Sequence, residues 1–397
     1  MGPLSGIRVI DMTTVLMGPS ATQLLGDMGA DVIKVEAPEG DLVRQIAPAR
    51  HDGMGALFLN ANRSKRSICL NLKHEGGRAA LLALARGADA LIYNVRPQAM
   101  ARLGLDYEAV RAAKPSIVYA GLYGFGQDGP YAAKPAYDDL IQGASGLASL
   151  FARGTGDEPR YVPQAVSDRV VGLAAFGAIC AALVHQARTG EGQRVDVPMF
   201  ETMAGFVMAD HAGGLTFDPP LGEAGYPRQL SPLRKPYRTL DGHVCALVYT
   251  DTQWQRFLAA VGREELLDDP RYATFPMRAA NIDVVYATFE EIVAGRTTQD
   301  WLALFDEIDI PSAPLHTLES IADDPHLRAT GFFETVEHPS EGTVRMMKQP
   351  STFSATPSAP ERLAPRQGEH GAEILAEAGF DETAIADLAA SGAYLPG

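Results

Sequence analysis

An α/β protein with a mainly parallel sheet and a second, smaller domain is what the sequence predicts, on three observations. Short apolar runs alternate with helix-compatible stretches from Ile7 to Tyr123. A glycine- and proline-rich stretch, Gly213 to Pro236, then interrupts the rhythm. Beyond it the chain turns helical and aromatic around Trp254, Phe257, Phe289, Trp301 and Phe305. With 397 residues and 46% hydrophobic content, the chain is long enough to bury a large core and more than one domain.

The elements follow in order. Ile7 to Met12 reads as a buried strand, Pro19 to Met28 as a helix whose start is marked by Gly18-Pro19, and Asp31 to Glu36 as a second strand. The same rhythm gives strand Ser67 to Leu72, helix Glu75 to Arg86, strand Ala88 to Asn94, helices Pro97 to Leu103 and Tyr107 to Lys114, and strand Ser116 to Tyr123. Arg169 to Arg188 reads as a long apolar helix. Its core, Val170 to Val184, is 15 residues of uninterrupted apolar and small side chains, which is short for a membrane span and predicts a buried helix. Thr352 to Pro365 is too rich in Pro, Ser and Ala for a core element, and two short amphipathic helices, Ala372 to Ala378 and Glu382 to Ala390, close the chain.

Charge and cysteine usage narrow the function classes. Lys plus Arg number 34 against 49 Asp plus Glu, a net charge of -15, so no general basic field is available for nucleic acid and any anionic ligand must be held by local charges. Cys69, Cys180 and Cys245 are odd in number, far apart and ungrouped with histidines, which indicates neither a disulfide framework nor a metal site and fits a reducing, cytoplasmic compartment. The start, MGPLSGIRVIDM, lacks the basic and apolar regions of a signal peptide. We therefore expect no membrane and no nucleic-acid partner.

Two motifs are decoys. Gly124-Phe-Gly126-Gln-Asp-Gly129 matches the G-x-G-x-x-G string of dinucleotide binders, but Pro130 and Pro135 frame a loop where a helix should open to receive the pyrophosphate. Gly143-Ala-Ser145-Gly146-Leu147 lacks the second glycine of a nucleophile elbow, so Ser145 reads as a small packing residue.

Asp168 stands just before the long apolar helix, where free N–H groups and the helix dipole favour an ionised carboxylate. Local sequence alone favours an N-cap, for which Asp is among the best residues, over a nucleophile. Basic residues flank the predicted strand ends as Arg63, Lys65, Arg66, Lys73, Arg96 and Arg102, positions outside a parallel sheet where a set of them is able to hold a phosphorylated ligand, although single basic residues there are usually solvated caps.

Taken together, several segments resemble the family III coenzyme A transferases, the group that includes formyl-CoA and carnitine CoA-transferases and the related α-methylacyl-CoA racemases. They are GIRVIDMTTVLMGPSATQLLGDMGADVIKVE, NRSKRSICLNLK, LIYNVRPQAMARLGLDYE, GFGQDGPYAAKPAYDDLIQGASGL, ARTGEGQRVDVPM, DDPRYATFPMR and GEHGAEILAEAGF, and their order along the chain is more specific than any one of them. The resemblance implies a Rossmann-like large domain built from 1–212 and 331–397, a linker at 213–236, a small α+β domain at 237–330, and an interlocked homodimer. It also implies that Asp168 is the catalytic aspartate, carrying first an acyl anhydride and then a CoA thioester. The implied CoA site is Leu16, Met17, Leu70, Asn71, Leu72, Lys73, Asn94, Val95, Arg96 and Arg102, with Tyr137 beside the acyl group.

A carboxylate nucleophile needs no base, and a thiolate leaves readily. The expected substrates are thus an acyl-CoA thioester and a small carboxylic acid, with no tightly bound cofactor and no metal. Backbone N–H groups of a glycine loop, at Gly143 or Gly213-Gly214, are candidates to stabilise oxyanions. Two departures from the family bear on substrate. Formyl-CoA transferase has a glutamine and an arginine where Leu16 and Ala37 align, and a four-glycine loop without an evident copy here. The racemases carry a histidine where Tyr137 stands, which leaves racemisation, a two-base reaction, as the alternative reading and a catalytically silent CoA-binding protein as a third.

Overall fold

The computed structural model describes residues 2–357, 360 and 362–397. Six strands, β1 (Arg8–Met12), β2 (Asp31–Glu36), β3 (Lys65–Leu70), β4 (Ala90–Tyr93), β5 (Val118–Tyr123) and β6 (Gln193–Pro198), lie in one sheet in the order β3-β2-β1-β4-β5-β6. All neighbouring pairs among them are parallel, with Val9 opposite both Val32 and Ala90. The final strand, Tyr394–Leu395, adds to the outer edge of β3 antiparallel. Strand order therefore reverses between β1 and β4, the switch point at which a doubly wound sheet opens a crevice beyond its strand ends. The strands from β1 to β5 are buried almost throughout because helices cover both faces, which is why they read as continuous apolar runs.

β3 departs from the expectation. It spans Lys65–Leu70 instead of Ser67 to Leu72, so Lys65 and Arg66 lie within the strand. Lys65 tolerates complete burial because Nζ donates to Asp11 Oδ2 and Asn62 Oδ1, each at 2.9 Å, and to the Pro19 carbonyl at 3.1 Å. Asn71 to Lys73 form a turn, closed by the Lys73 N–H on Asn71 Oδ1 at 3.1 Å and the His74 N–H on the Asn71 carbonyl at 3.0 Å.

The long helix runs Val166–Thr189 and is long and apolar enough to cross a membrane. One face packs through Val171, Gly172, Ala175 and Ile179, whereas Leu173 and Val184 are 61% and 57% exposed, so the helix is not the wholly buried one expected. Gly172 permits a close approach to the first helix, Met17–Asp27: a Cβ there would stand 2.8 Å from the Met17 carbonyl oxygen.

The chain divides into two compact units. The first takes the residues up to Ser145, Val162–Gly205 and those from His326 onward; the second takes Gly146–Tyr161 and Phe206–Pro325. The second unit thus starts earlier than residue 237, absorbs the stretch read as a linker, and includes 146–161. Its three-stranded sheet, Tyr237–Arg238, His243–Ala246 and Ser312–Pro314, is antiparallel. Beside it the aromatic residues noted in the sequence form the core, with Trp301 and Phe305 stacked at 5.1 Å and the Trp301 Nε1–H bonded to the Val293 carbonyl at 2.7 Å.

Candidate active site

A cavity of about 430 Å³ opens in the first unit at the ends of β1, β4 and β5, where strand order reverses. Thr14 and Val15 follow β1, Asn94 to Arg96 follow β4, and Tyr123 ends β5. Asp168 lines the same cavity from the first turn of the long helix, and Tyr137 does so from the loop after β5.

The turn after β1 is clamped from below. Asn94 brackets Thr14, accepting its N–H at 3.0 Å and donating to its carbonyl at 2.8 Å. Lys34, fully buried, donates to the Thr13 carbonyl and to Asp41, both at 2.9 Å, while Asp41 accepts the Val15 N–H at 3.1 Å. These bonds hold Val15 at φ 69°, a left-handed conformation unfavourable for a β-branched residue. The loop that carries Gly124 to Tyr137 is anchored where Glu201 Oε1 accepts the Gly126 N–H at 2.9 Å. No helix opens at those glycines; Tyr107–Ala113 and Asp138–Ala144 are the helices nearest in sequence, so the dinucleotide fingerprint has no structural counterpart.

Asp168 is the third residue of its helix, not the residue before it. Ala165 is the N-cap, so Asp168 is no N-cap. Its N–H donates to Asp138 Oδ1 at 3.0 Å. Burial, and next the charge of Asp138, push the Asp168 carboxyl up to about 6, with Arg169 opposing them. Burial dominates, so the carboxylate is less solvated than the helix dipole alone suggests. Arg169 turns aside to Ser20 Oγ at 2.7 Å and forms no ion pair with Asp168.

Of the residues implicated by sequence, the cavity brings together Met17, Asn94, Val95, Arg96, Tyr137 and Asp168. Leu16, Leu70, Asn71, Leu72, Lys73 and Arg102 do not line it. Leu16 is buried at the N-cap of the first helix, Leu70 is buried in β3 opposite Tyr394, and Arg102 is exposed in the last turn of helix Pro97–Arg102. Arg63, Lys65 and Arg66 are spent on carboxylates, Asp27 at 2.7 Å, Asp11 at 2.9 Å and Asp31 at 2.7 Å, and do not serve as free anion holders. Gly143 belongs to helix Asp138–Ala144 rather than to a loop, and Ser145 packs with its Oγ on the Gln142 carbonyl at 3.3 Å.

Sequence reasoning missed Asp138, Lys134 and Val15. Asp138 was findable as the acidic residue directly after Tyr137. The Val15 conformation leaves no composition signal. Among the described residues, no group of three or more His, Cys, Asp or Glu side chains is arranged to hold a metal ion.

Residues 4–371 match the family described as CoA-transferase family III. The chain is 36% identical to a succinate–glutarate CoA-transferase of Agrobacterium fabrum over 94% of this chain and 95% of that one. It is 32% identical to a succinyl-CoA:mesaconate CoA-transferase of Haloarcula marismortui, over 96% and 98%. Among solved structures it superposes on a CAIB/BAIF family protein from Brucella suis with a TM-score of 0.80 and 33% identity, over 95% and 99% of the two chains. With the fold, the switch-point cavity and a match along nearly its whole length in agreement, this chain belongs to CoA-transferase family III.

Proposed function

We propose that the protein transfers CoA from an acyl-CoA thioester to a free carboxylic acid, with Asp168 as nucleophile. The observation that carries this reading is a carboxylate, half-withdrawn from water, lining a switch-point cavity together with Arg96 and Tyr137. An Asp168 oxygen attacks the thioester carbonyl, the C–S bond breaks, and CoA leaves as thiolate with an aspartyl-acyl anhydride behind it. The thiolate attacks the aspartyl carbonyl of that anhydride and expels the donor acid, giving an aspartyl-CoA thioester. The acceptor carboxylate displaces the thiolate to form a second anhydride. The thiolate then takes the acceptor acyl group and frees Asp168. No proton is transferred to or from carbon, and the thioester bond energy is conserved throughout. Arg96 and Asn94 hold the CoA portion, and Tyr137 lies beside the acyl group.

The named relatives act on succinate, glutarate and mesaconate, all short dicarboxylic acids, which supports that class for donor and acceptor here. A homodimer in a reducing cytoplasm completes the proposal; exposed Leu173 and Val184 on the long helix and three unpaired cysteines are compatible with it.

The test is covalent trapping. Incubated with succinyl-CoA and no acceptor, the enzyme treated with hydroxylamine acquires a hydroxamate at Asp168, read by peptide mapping, and loses activity. Asp168→Ala abolishes transfer. An unmodified Asp168, with solvent deuterium entering the α-position of a 2-methylacyl-CoA, would replace this reading with racemisation.

A further inference from the structure

Gln142 is fully buried within helix Asp138–Ala144, and a buried primary amide must find partners for two donors and an acceptor. Its Oε1 accepts the Val162 N–H at 2.8 Å. Its Nε2 donates to Asp138 Oδ2 at 2.6 Å and to the Gln164 carbonyl at 3.2 Å, with the Val162 carbonyl at 3.4 Å. The segment so gripped is tightly coiled. The Gln164 N–H returns to the Val162 carbonyl and the Val166 N–H to the Gln164 carbonyl, each at 2.7 Å, and the long helix starts there. Asp138, gripped through one oxygen, receives the Asp168 N–H on the other. One amide therefore secures both supports of Asp168: the backbone that delivers it, and the carboxylate that accepts its N–H.

We infer that Gln142 is a positioning residue for Asp168, fixing the direction from which its carboxylate meets the thioester carbon. The inference rests on the reading of Asp168 as nucleophile. It follows from the steepness of the geometric requirement: a nucleophile misplaced by about 1 Å loses on the order of a hundredfold in rate, while substrate affinity is set elsewhere in the cavity. A residue important only for packing behaves differently, since its loss lowers the folded fraction and leaves each folded molecule as active as before.

The test compares Gln142→Met, Gln142→Glu, Ser145→Ala and Asp168→Ala, each assayed for kcat and for KM of succinyl-CoA with thermal unfolding in parallel. Gln142→Met keeps the volume and removes every bond. Gln142→Glu keeps the shape and the acceptor for Val162 but turns an oxygen towards Asp138 and two carbonyls, so it decides the matter if the Met variant does not fold. Ser145→Ala changes a buried residue that caps the C-terminus of the same helix and controls for helix stability. The expected result is a loss of kcat of about ten-fold or more in both Gln142 variants, KM within about two-fold of the parent, and unchanged kcat in Ser145→Ala. A folded Gln142 variant with kcat within about two-fold of the parent would overturn the inference while leaving Asp168 in place. Activity surviving in Asp168→Ala would instead remove the nucleophile itself.

Discussion

The clearest consequence at the scale of single residues is a pH dependence. On the proposed reading Asp168 attacks as a carboxylate, and its carboxyl is pushed up to about 6 by burial first and by Asp138 second. The kcat/KM profile is therefore expected to fall on the acid side of about pH 6 with the slope of one proton. Asp138→Asn keeps an oxygen for the Asp168 N–H and removes the like charge, so the acid limb should move down by roughly one unit while staying above the ordinary carboxylate range. An unmoved limb would show that Asp138 exerts no charge effect on the attacking group. Stability carries the opposite sign. A carboxyl whose folded pKa is raised favours the folded state where it is protonated, and that contribution is lost as pH rises through about 6. Asp168→Asn should consequently stabilise the protein at pH 7.5 by on the order of 1 kcal/mol after allowance for solvent screening, read as a higher unfolding temperature, with the advantage gone at pH 4.

At the scale of elements, β3 and the turn after β1 rest on a buried ionic layer. Burial pulls the Lys65 ammonium down to about 8, although Asp11 pulls the other way. Burial likewise pushes Asp11 up, but Lys65, Lys34 and the hydroxyls of Thr13 and Thr22 outweigh it and hold the carboxyl at about 2. Lys65→Met leaves a buried carboxylate short of a partner and should cost about 3–5 kcal/mol in urea unfolding, with KM of the folded fraction unchanged. Arg96→Ala is expected to do the reverse. It lines the cavity, so KM for the CoA thioester should rise about ten-fold with kcat and stability nearly constant.

These two residues show what the sequence discloses and what it withholds. Strand-helix alternation located most of the large sheet because apolar runs of strand length are a local signal. The pattern could not say that Lys65 points into the protein, since a lysine is exposed by default and partners distant in sequence, Asp11 in a different strand and the Pro19 carbonyl, help to reverse that. Arg96 was legible because it lies in the short segment after a strand that ends at the crevice. Leu70 to Lys73 were placed at the site on family likeness; Leu70 ends β3, two strands from β1, and Asn71 to Lys73 form the turn beyond it. Gln142 escaped notice because its contacts depend on which segment the fold brings alongside it.

For the whole molecule, the first unit draws on both ends of the chain. Ile374, Leu375 and Tyr394 are buried in the same core as Ile10, Ile33 and Leu91 of the sheet. Gly371 has no room for a side chain, as a Cβ would stand 2.3 Å from the Tyr394 ring. Removing the residues after Gly392 should therefore destabilise the protein by several kcal/mol, since buried Ala393 and Tyr394 go with them and the β3 edge is bared. Calorimetry on the truncated and full chains checks this; equal unfolding temperatures would mean that the terminal strand is an ornament.

That terminal strand also sets a clock. β3 leaves the ribosome well before Tyr394 and Leu395, the partner for its outer edge, are made. At about 10 residues per second the nascent sheet waits roughly half a minute with that row of N–H and C=O groups unpaired. During this interval the edge is available to any other extended chain, including a neighbour on the same message. Chaperone demand in translation should thus track the time between synthesis of Leu70 and of Tyr394, and a ribosome stalled between the two would hold a sheet with an open side.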